Sequence, residues 1–163
     1  MLIRVAIDAN VLITGIVWPR WAYEVLQHAL RGDFILVLSA IVMAEARNRI
    51  VTTFPEFLAE FEFLLANLTY ELAPVPTRED VAANTSLVRQ LKDVPIALSI
   101  MGAAVDYFVT YDRDFTDPGE TTRAVRNAIP GIILPPVFLR DVLGWSSADL
   151  EAIRRREWSD LEQ

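Results

Sequence analysis

The sequence predicts an α/β domain: a three-layer sandwich in which a mostly parallel sheet of four to five strands is flanked by helices. Three observations predict it. Short, nearly continuous apolar runs recur along the chain, as in strands buried on both faces. Between them lie segments with apolar residues at helical spacing, and strands separated by helices imply parallel pairing through right-handed crossovers. The 163 residues contain no repeat, low-complexity stretch or interdomain linker, which fits one domain of ordinary size.

Leu2 to Ile7 is short, apolar and β-branched, and predicts the first strand. Asp8-Ala9-Asn10 is a turn or cap signal. Trp21, Val25, Leu26, Ala29 and Leu30 share one face of a helix over 21–31, which Gly32-Asp33 ends. Phe34 to Leu38 predicts the second strand. Ser39 suits an N-cap for a helix over about 40–51. Pro55 opens a helix rich in Phe and Leu that ends near Asn67, and Tyr70 to Pro76 reads as irregular. Thr77 caps a helix carrying Val81, Leu87, Val88 and Leu91. Asp93 caps the next, with Pro95 in its first turn and Ile96, Ala97, Ile100, Met101 and Ala104 on its buried face. Tyr107 to Val109 predicts a third strand, followed by a polar loop from Tyr111 to Glu120. Gly131 to Leu134 predicts a fourth, followed by a helix over about 136–143. Ser146 opens a charged C-terminal helix, with Asp149 as its capping-box partner. Residues 1–143 are expected to form the main domain and 144–163 a helical extension of it.

Composition narrows the chemistry. There is no cysteine and one histidine, His28, which excludes disulfides, thiolate metal sites and cysteine nucleophiles. Any metal must be held by oxygen ligands, which favours Mg²⁺ or Mn²⁺. No apolar stretch reaches the roughly 18–20 residues that span a bilayer. Arg4 and Asp8 spoil a secretory signal, so a soluble cytoplasmic protein without a membrane partner is expected. The 22 acidic against 15 basic residues give −7, an awkward balance for a nucleic-acid partner.

The acids gain meaning from strand order. In parallel α/β sheets, ligands sit beyond the carboxyl ends of the strands. Asp8 ends the first strand. Glu45 lies in the second turn of the helix after the second strand. Asp112 follows the third strand, and Asp93 begins the helix leading into it. A crossover helix runs antiparallel to the sheet, so all four acids fall on one rim. Clustered carboxylates repel, and a dication removes that cost. Such an ion can supply both a nucleophile from water and an electrophilic clamp on a phosphoryl group.

Val5-Ala6-Ile7-Asp8-Ala9-Asn10-Val11-Leu12 resembles the opening of PIN-domain nucleases, and Val109-Thr110-Tyr111-Asp112-Arg113-Asp114-Phe115 resembles their later strand-and-acid motif. Ser39 with Glu45, Lys92-Asp93-Val94-Pro95-Ile96-Ala97-Leu98 and Ile133-Leu134-Pro135-Pro136-Val137-Phe138-Leu139 match the remaining elements, so the resemblance spans about residues 1–143. It implies a metal-dependent endoribonuclease acting on RNA, often the toxin of a VapC-like toxin–antitoxin pair, with a cognate antitoxin and a homodimer as expected partners. It further implies Asp8 and Asp112 as main metal ligands, Asp93 completing the set, and Glu45 positioning metal or water. Asn10, Ser39 and Thr110 match the family's supporting polar positions. Tyr111 departs from the pattern, where glycine is common.

Other readings stay open. Asp8 and Asp93 suit plain caps, Asp112 a loop acid, and Glu45 a pairing with Arg49. Asp114 is a reserve ligand or a loop-ordering acid. Asp106 lies at the far end of its strand, and His28 reads as solvated. Arg113 and Arg20 are candidate phosphate contacts, and Arg47 reads as a surface charge. Arg154-Arg155-Arg156 alternates with acids and reads as a charge-paired helix. Trp18, Trp21, Trp145 and Trp158 suit base stacking or core filling. The Phe- and Leu-rich segment 56–66 is more apolar than one core contact needs, which fits a dimer or antitoxin groove. A non-catalytic binding module is the alternative function. An aspartyl-phosphate enzyme fits poorly, because Asn10 stands where a second Asp is wanted and the only lysine, Lys92, lies before the Asp93 helix.

Overall fold

The computed structural model describes residues 2–117, 119 and 123–162. Strands β1 (Arg4–Ile7), β2 (Ile35–Leu38), β3 (Tyr70–Leu72), β4 (Tyr107–Val109) and β5 (Gly131–Ile133) form one sheet. Their order is β3-β2-β1-β4-β5, and every neighbouring pair is parallel. Successive strand residues point to opposite faces. Val5, Ala6 and Ile7 are all buried, as are Leu36, Val37 and Leu38, so helices cover the sheet on both sides. The architecture is the expected three-layer α/β sandwich.

The chain builds outward from β1 through β2 to β3, then returns to lay β4 on the other flank of β1. The direction of winding therefore switches between β1 and β4. Connections leave on opposite sides there, and a crevice opens beyond the strand ends.

Helices α1 (Ala9–Val17) and α2 (Trp21–Leu30) link β1 to β2, and α3 (Ala40–Thr53) and α4 (Leu58–Asn67) link β2 to β3. Next come α5 (Arg78–Ala83) and α6 (Val94–Gly102), leading to β4. Short helices α7 (Arg113–Thr116) and α8 (Arg123–Ala128) lie between β4 and β5. Last come α9 (Pro135–Asp141), α10 (Ser147–Ala152) and α11 (Trp158–Leu161). Among the described residues no helix is long and apolar enough to cross a membrane.

Several elements differ from the sequence reading. Of the turn and cap readings at Asp8 the cap holds, but it opens a helix that the sequence reading did not assign: Asp8 accepts from Ala9 N at 2.8 Å and α1 follows at once. Its run of Val, Leu and Ile is buried without a clear period, which hid it. Tyr70–Leu72 is not irregular but an edge strand. Glu71 and Leu72 are exposed there, so no alternation marks it; the prolines begin only at Pro74. The helix expected to reach Leu91 stops at Ala83, and a single 3₁₀ turn over Leu91–Asp93 enters α6. The loop from Tyr111 contains α7, while Pro118 and Glu120 lie outside the described residues. The C-terminal helix is two short ones, each with a capping box.

His28 is not solvated. Its Nδ1 lies 2.7 Å from Asp33, and its Nε2 accepts the Trp145 indole N–H at 3.0 Å. The indoles of Trp21 and Trp158 donate to Leu150 O and Val17 O, both at 2.9 Å. Arg156 donates to Pro19 O at 2.6 Å and pairs with Glu24 at 2.8 Å. These bonds fasten residues 145–158 onto the α1–α2 hairpin.

Hairpin packing leaves no room at Gly15. A Cβ there would sit 2.5 Å from a Leu26 methyl and 3.0 Å from the Ala22 backbone. Gly15→Ala should lower stability, since overpacking costs about 1–3 kcal/mol and alanine returns only roughly 1 kcal/mol of helix propensity. Urea unfolding reads the difference; a midpoint equal to or above wild type would show that the helices separate freely.

Candidate active site

Two strand ends and two helix starts meet at the crevice. Asp8 follows β1 directly, and its N–H donates to Val109 O at 3.0 Å, extending the β1–β4 pairing by one residue. Its carboxylate is 5% exposed. One oxygen caps α1; the other accepts the Thr110 hydroxyl at 2.6 Å and lies 3.4 Å from Asn10 Nδ2. The Thr110 oxygen in turn accepts the Asp112 N–H at 2.9 Å. Asn10 Oδ1 accepts the Tyr111 N–H at 3.1 Å, closing a polar link between the two strand ends.

Asp112 caps α7 by accepting from Asp114 N at 2.9 Å. That leaves its other oxygen free to face the crevice. Asp114 pairs with Arg89. Ser39, also buried, caps α3 by accepting from Ile41 N at 3.1 Å, which fixes the start of the helix carrying Glu45.

Asp93 behaves differently from a cap. It stands at the start of α6, but its side chain makes no capping hydrogen bond. It is 6% exposed, and its Oδ2 is buried without any hydrogen-bond partner among the described residues. An unpartnered buried carboxylate oxygen is costly, and it points to a ligand that the protein itself does not supply.

Asp8, Glu45, Asp93 and Asp112 line one cleft of about 660 Å³. The four acids placed on one rim from strand order therefore do share a site. One oxygen each from Asp93 and Asp112, which line the cleft, and from Asp114 beside them lie within 4.8 Å of one another. Among the described residues this is the tightest set of potential ligands, so Asp114 belongs to the cluster while Asp8 stands beside it. Glu45 is exposed and forms no ion pair with Arg49. Arg113 is exposed next to Asp112. Arg20 lies away from the cleft lining: its guanidinium bonds Arg156 O at 3.1 Å and Glu157 at 2.8 Å. Asp106 accepts from Arg4 N at 2.8 Å, at the opposite end of the strands.

The electrostatics follow from burial and crowding. Burial pushes the Asp8 carboxyl up to about 6; the Thr110 and Ala9 hydrogen bonds pull it down, and Glu45 and Asp112 push it up further. Burial likewise raises Asp93 to about 6, with Asp112, Glu45 and Asp114 adding to it and Lys92 opposing. Both acids are thus harder to ionise folded than unfolded.

No family model matches the chain, and no curated protein matches it. Solved structures do share its fold. PAE2754 from Pyrobaculum aerophilum superposes with a TM-score of 0.59 at 15% identity, over 89% of this chain and 100% of that one. A chain from VapBC2 of Rickettsia felis, solved bound to a DNA fragment from their promoter, gives a TM-score of 0.52 at 15% identity. That match covers 80% of this chain and 96% of the other.

The cluster sets a stability expectation. The folded state holds the Asp93 proton more tightly than the unfolded chain, so this group's contribution falls as pH rises from the ordinary carboxylate range through about 6. In chelator near neutral pH, Asp93→Asn should therefore stabilise the protein by about 1–3 kcal/mol, and the gain should vanish by about pH 4. Thermal unfolding across that range reads it; a destabilised variant near neutrality would show that Asp93 is held by a protein partner. With the crevice and the superpositions together, the chain has the fold of these structures, a PIN-like three-layer α/β sandwich.

Proposed function

We propose that this protein is a divalent-metal-dependent endoribonuclease, the toxin of a toxin–antitoxin pair. The observation that carries the reading is the unpartnered buried Oδ2 of Asp93, set among carboxylates at the topological switch point. All-oxygen donors at this spacing suit Mg²⁺ or Mn²⁺. Asp93 and Asp112 would hold the ion, with Asp114 or Asp8 completing the set. When bound, the ion supplies acidification of water and electrophilic stabilisation of a phosphoryl group.

The chain's own residues do the remaining work. Thr110 holds Asp8 and the Asp112 backbone in one orientation, as a partner behind a ligand should. Glu45, exposed at the cleft and free of Arg49, would orient a water. Arg113, exposed beside Asp112, would meet a phosphate. The cleft is open, so a chain can pass through it and be cut internally.

The partners follow from the same reading. The apolar groove of about 410 Å³ lined by Leu26, Leu30, Phe57, Phe63, Leu64 and Trp158 suits an antitoxin segment, and Phe63 is 71% exposed in it. The neighbour from Rickettsia felis was solved as a complex, which supports an antitoxin partner for this chain as well. A homodimer and a cytoplasmic location belong to this reading, as does treating residues 144–163 as part of the nuclease domain.

The test is cleavage of single-stranded RNA with Mn²⁺ and its loss in chelator. Loss of a residue behind a metal ligand costs about 10–100-fold, so Thr110→Val should fall in that range and Asp112→Asn below it. Asp112→Asn as active as wild type would remove the nuclease reading from this site. Mn²⁺ should also raise the melting temperature of wild type, and not of Asp93→Asn.

A further inference from the structure

The acidic cleft does not end at the carboxylates. Helices α1 and α3 both start at the rim and run away from it side by side. Asn10, Ile13, Thr14 and Trp18 line the cleft from α1; Glu45, Asn48, Arg49 and Thr52 line it from α3. Both sets follow helical spacing, one face of each helix. At the far end the lining includes an aromatic pair. Trp18 and Phe54, the residues that end the two helices, meet edge-to-face with centroids 5.7 Å apart.

Trp18 is unlike the other tryptophans. Trp21, Trp145 and Trp158 each donate an indole hydrogen bond within the protein. Trp18 makes none among the described residues, and it is 36% exposed. Arg49 is unlike most of the arginines. Arg4, Arg20, Arg31, Arg47, Arg89, Arg140, Arg154 and Arg156 are all ion-paired. Arg49 faces the cleft with no ion pair among the described residues, and Lys92 lines the same cleft also unpaired. The groove thus offers an unpaired cation, the free amide of Asn48 and an aromatic face in line with the carboxylates.

Resting on the ribonuclease reading, we propose that this groove is a subsite for single-stranded RNA, in which Trp18, braced by Phe54, stacks on a base and Arg49 contacts a phosphate. Ten residues of helix separate Asp8 from Trp18, about 15 Å at 1.5 Å per residue. That places the stacked base several nucleotides' reach from the carboxylates, not directly over them. Stacking on an aromatic ring tolerates any base, because every base has a flat face. Selectivity would then come from the Asn48 amide reaching a base edge.

Fluorescence anisotropy with a labelled single-stranded RNA, and with an abasic oligomer of equal length, separates the two contacts. Trp18→Ala should weaken RNA binding by about tenfold or more and leave the abasic oligomer unchanged, with Trp18→Phe largely restoring the loss. Arg49→Gln should weaken both and reduce the salt slope by about 0.7. Equal losses on RNA and abasic oligomer in Trp18→Ala, or no loss on RNA, would overturn the stacking role. Melting curves of each variant exclude misfolding, and Trp18→Phe carries the test if the alanine variant unfolds. Metal-dependent cleavage by wild type with Trp18-independent binding leaves the nuclease and removes the subsite. Trp18-dependent binding without cleavage supports the subsite and removes the nuclease. A single-stranded DNA bound as tightly as RNA, with the same Trp18 dependence, would overturn the choice of RNA.

Discussion

Asp8 and Asp112 lie just past the ends of neighbouring strands and are joined through one hydroxyl. Thr110 donates to the Asp8 carboxylate and accepts the Asp112 backbone N–H. A hydroxyl is suited to this place because it donates and accepts at once. The arrangement depends on the pairing of β1 with β4, which continues past the strands as Asp8 N–H to Val109 O. Shifting that register by one residue would turn Thr110 to the other face and separate the two acids. The core residues that hold the register, Val5 to Ile7 against Tyr107 to Val109, therefore also set the geometry of the site.

That geometry is held against its own electrostatics. Burial and mutual repulsion raise both Asp8 and Asp93, so near neutral pH each ionised acid subtracts from stability. The protein compensates unevenly. Asp8 receives hydrogen bonds from Ala9 and Thr110, Asp112 caps α7, and Asp114 faces Arg89. Asp93 receives none on its buried oxygen. A structural acid would be expected to gain a donor at such a position, because one is worth more than a kilocalorie per mole when the acceptor is charged, about 1.5–3. The unequal treatment of otherwise similar acids is what sets Asp93 apart in the cluster.

Much of this was legible in the sequence because the relevant signals are local. The first two apolar runs and the run over Tyr107–Val109 give way to polar residues, Asp8, Ser39 and Thr110, and strand order carries Asp8, Glu45, Asp93 and Asp112 to one rim. What was not legible depends on contacts between distant segments. The apolar run of α1 has no polar face to give it a period, since it packs on α2 and α3 as well as lining the cleft. Strand β3 is an edge, and its exposed Glu71 and Leu72 give no alternation. The Glu45–Arg49 pairing is natural at that spacing, yet both residues line the cleft without an ion pair between them. His28 looked solvated because its partner Trp145 lies more than a hundred residues away. Arg20 and Trp18 are close in sequence and both plausible on paper; only the fold sends one to the C-terminal segment and leaves the other at the cleft.

The net charge of −7 is the remaining difficulty for a polyanionic substrate, and its distribution bears on it. Long-range repulsion is screened beyond about 10 Å at ordinary ionic strength, so the charges that matter are those in the cleft. There the carboxylates are the largest local anionic group, and a dication among Asp93, Asp112 and Asp114 would cancel much of it. Arg49 and Lys92 would then offset most of the anionic charge that remains along the groove. The same chain would repel RNA when metal-free and accept it when loaded. Surface arginines paired to their neighbours contribute little to either state. An acidic protein can in this way confine its attraction for a phosphate backbone to one cleft, where the unpaired cations and the unbonded Trp18 indole already lie.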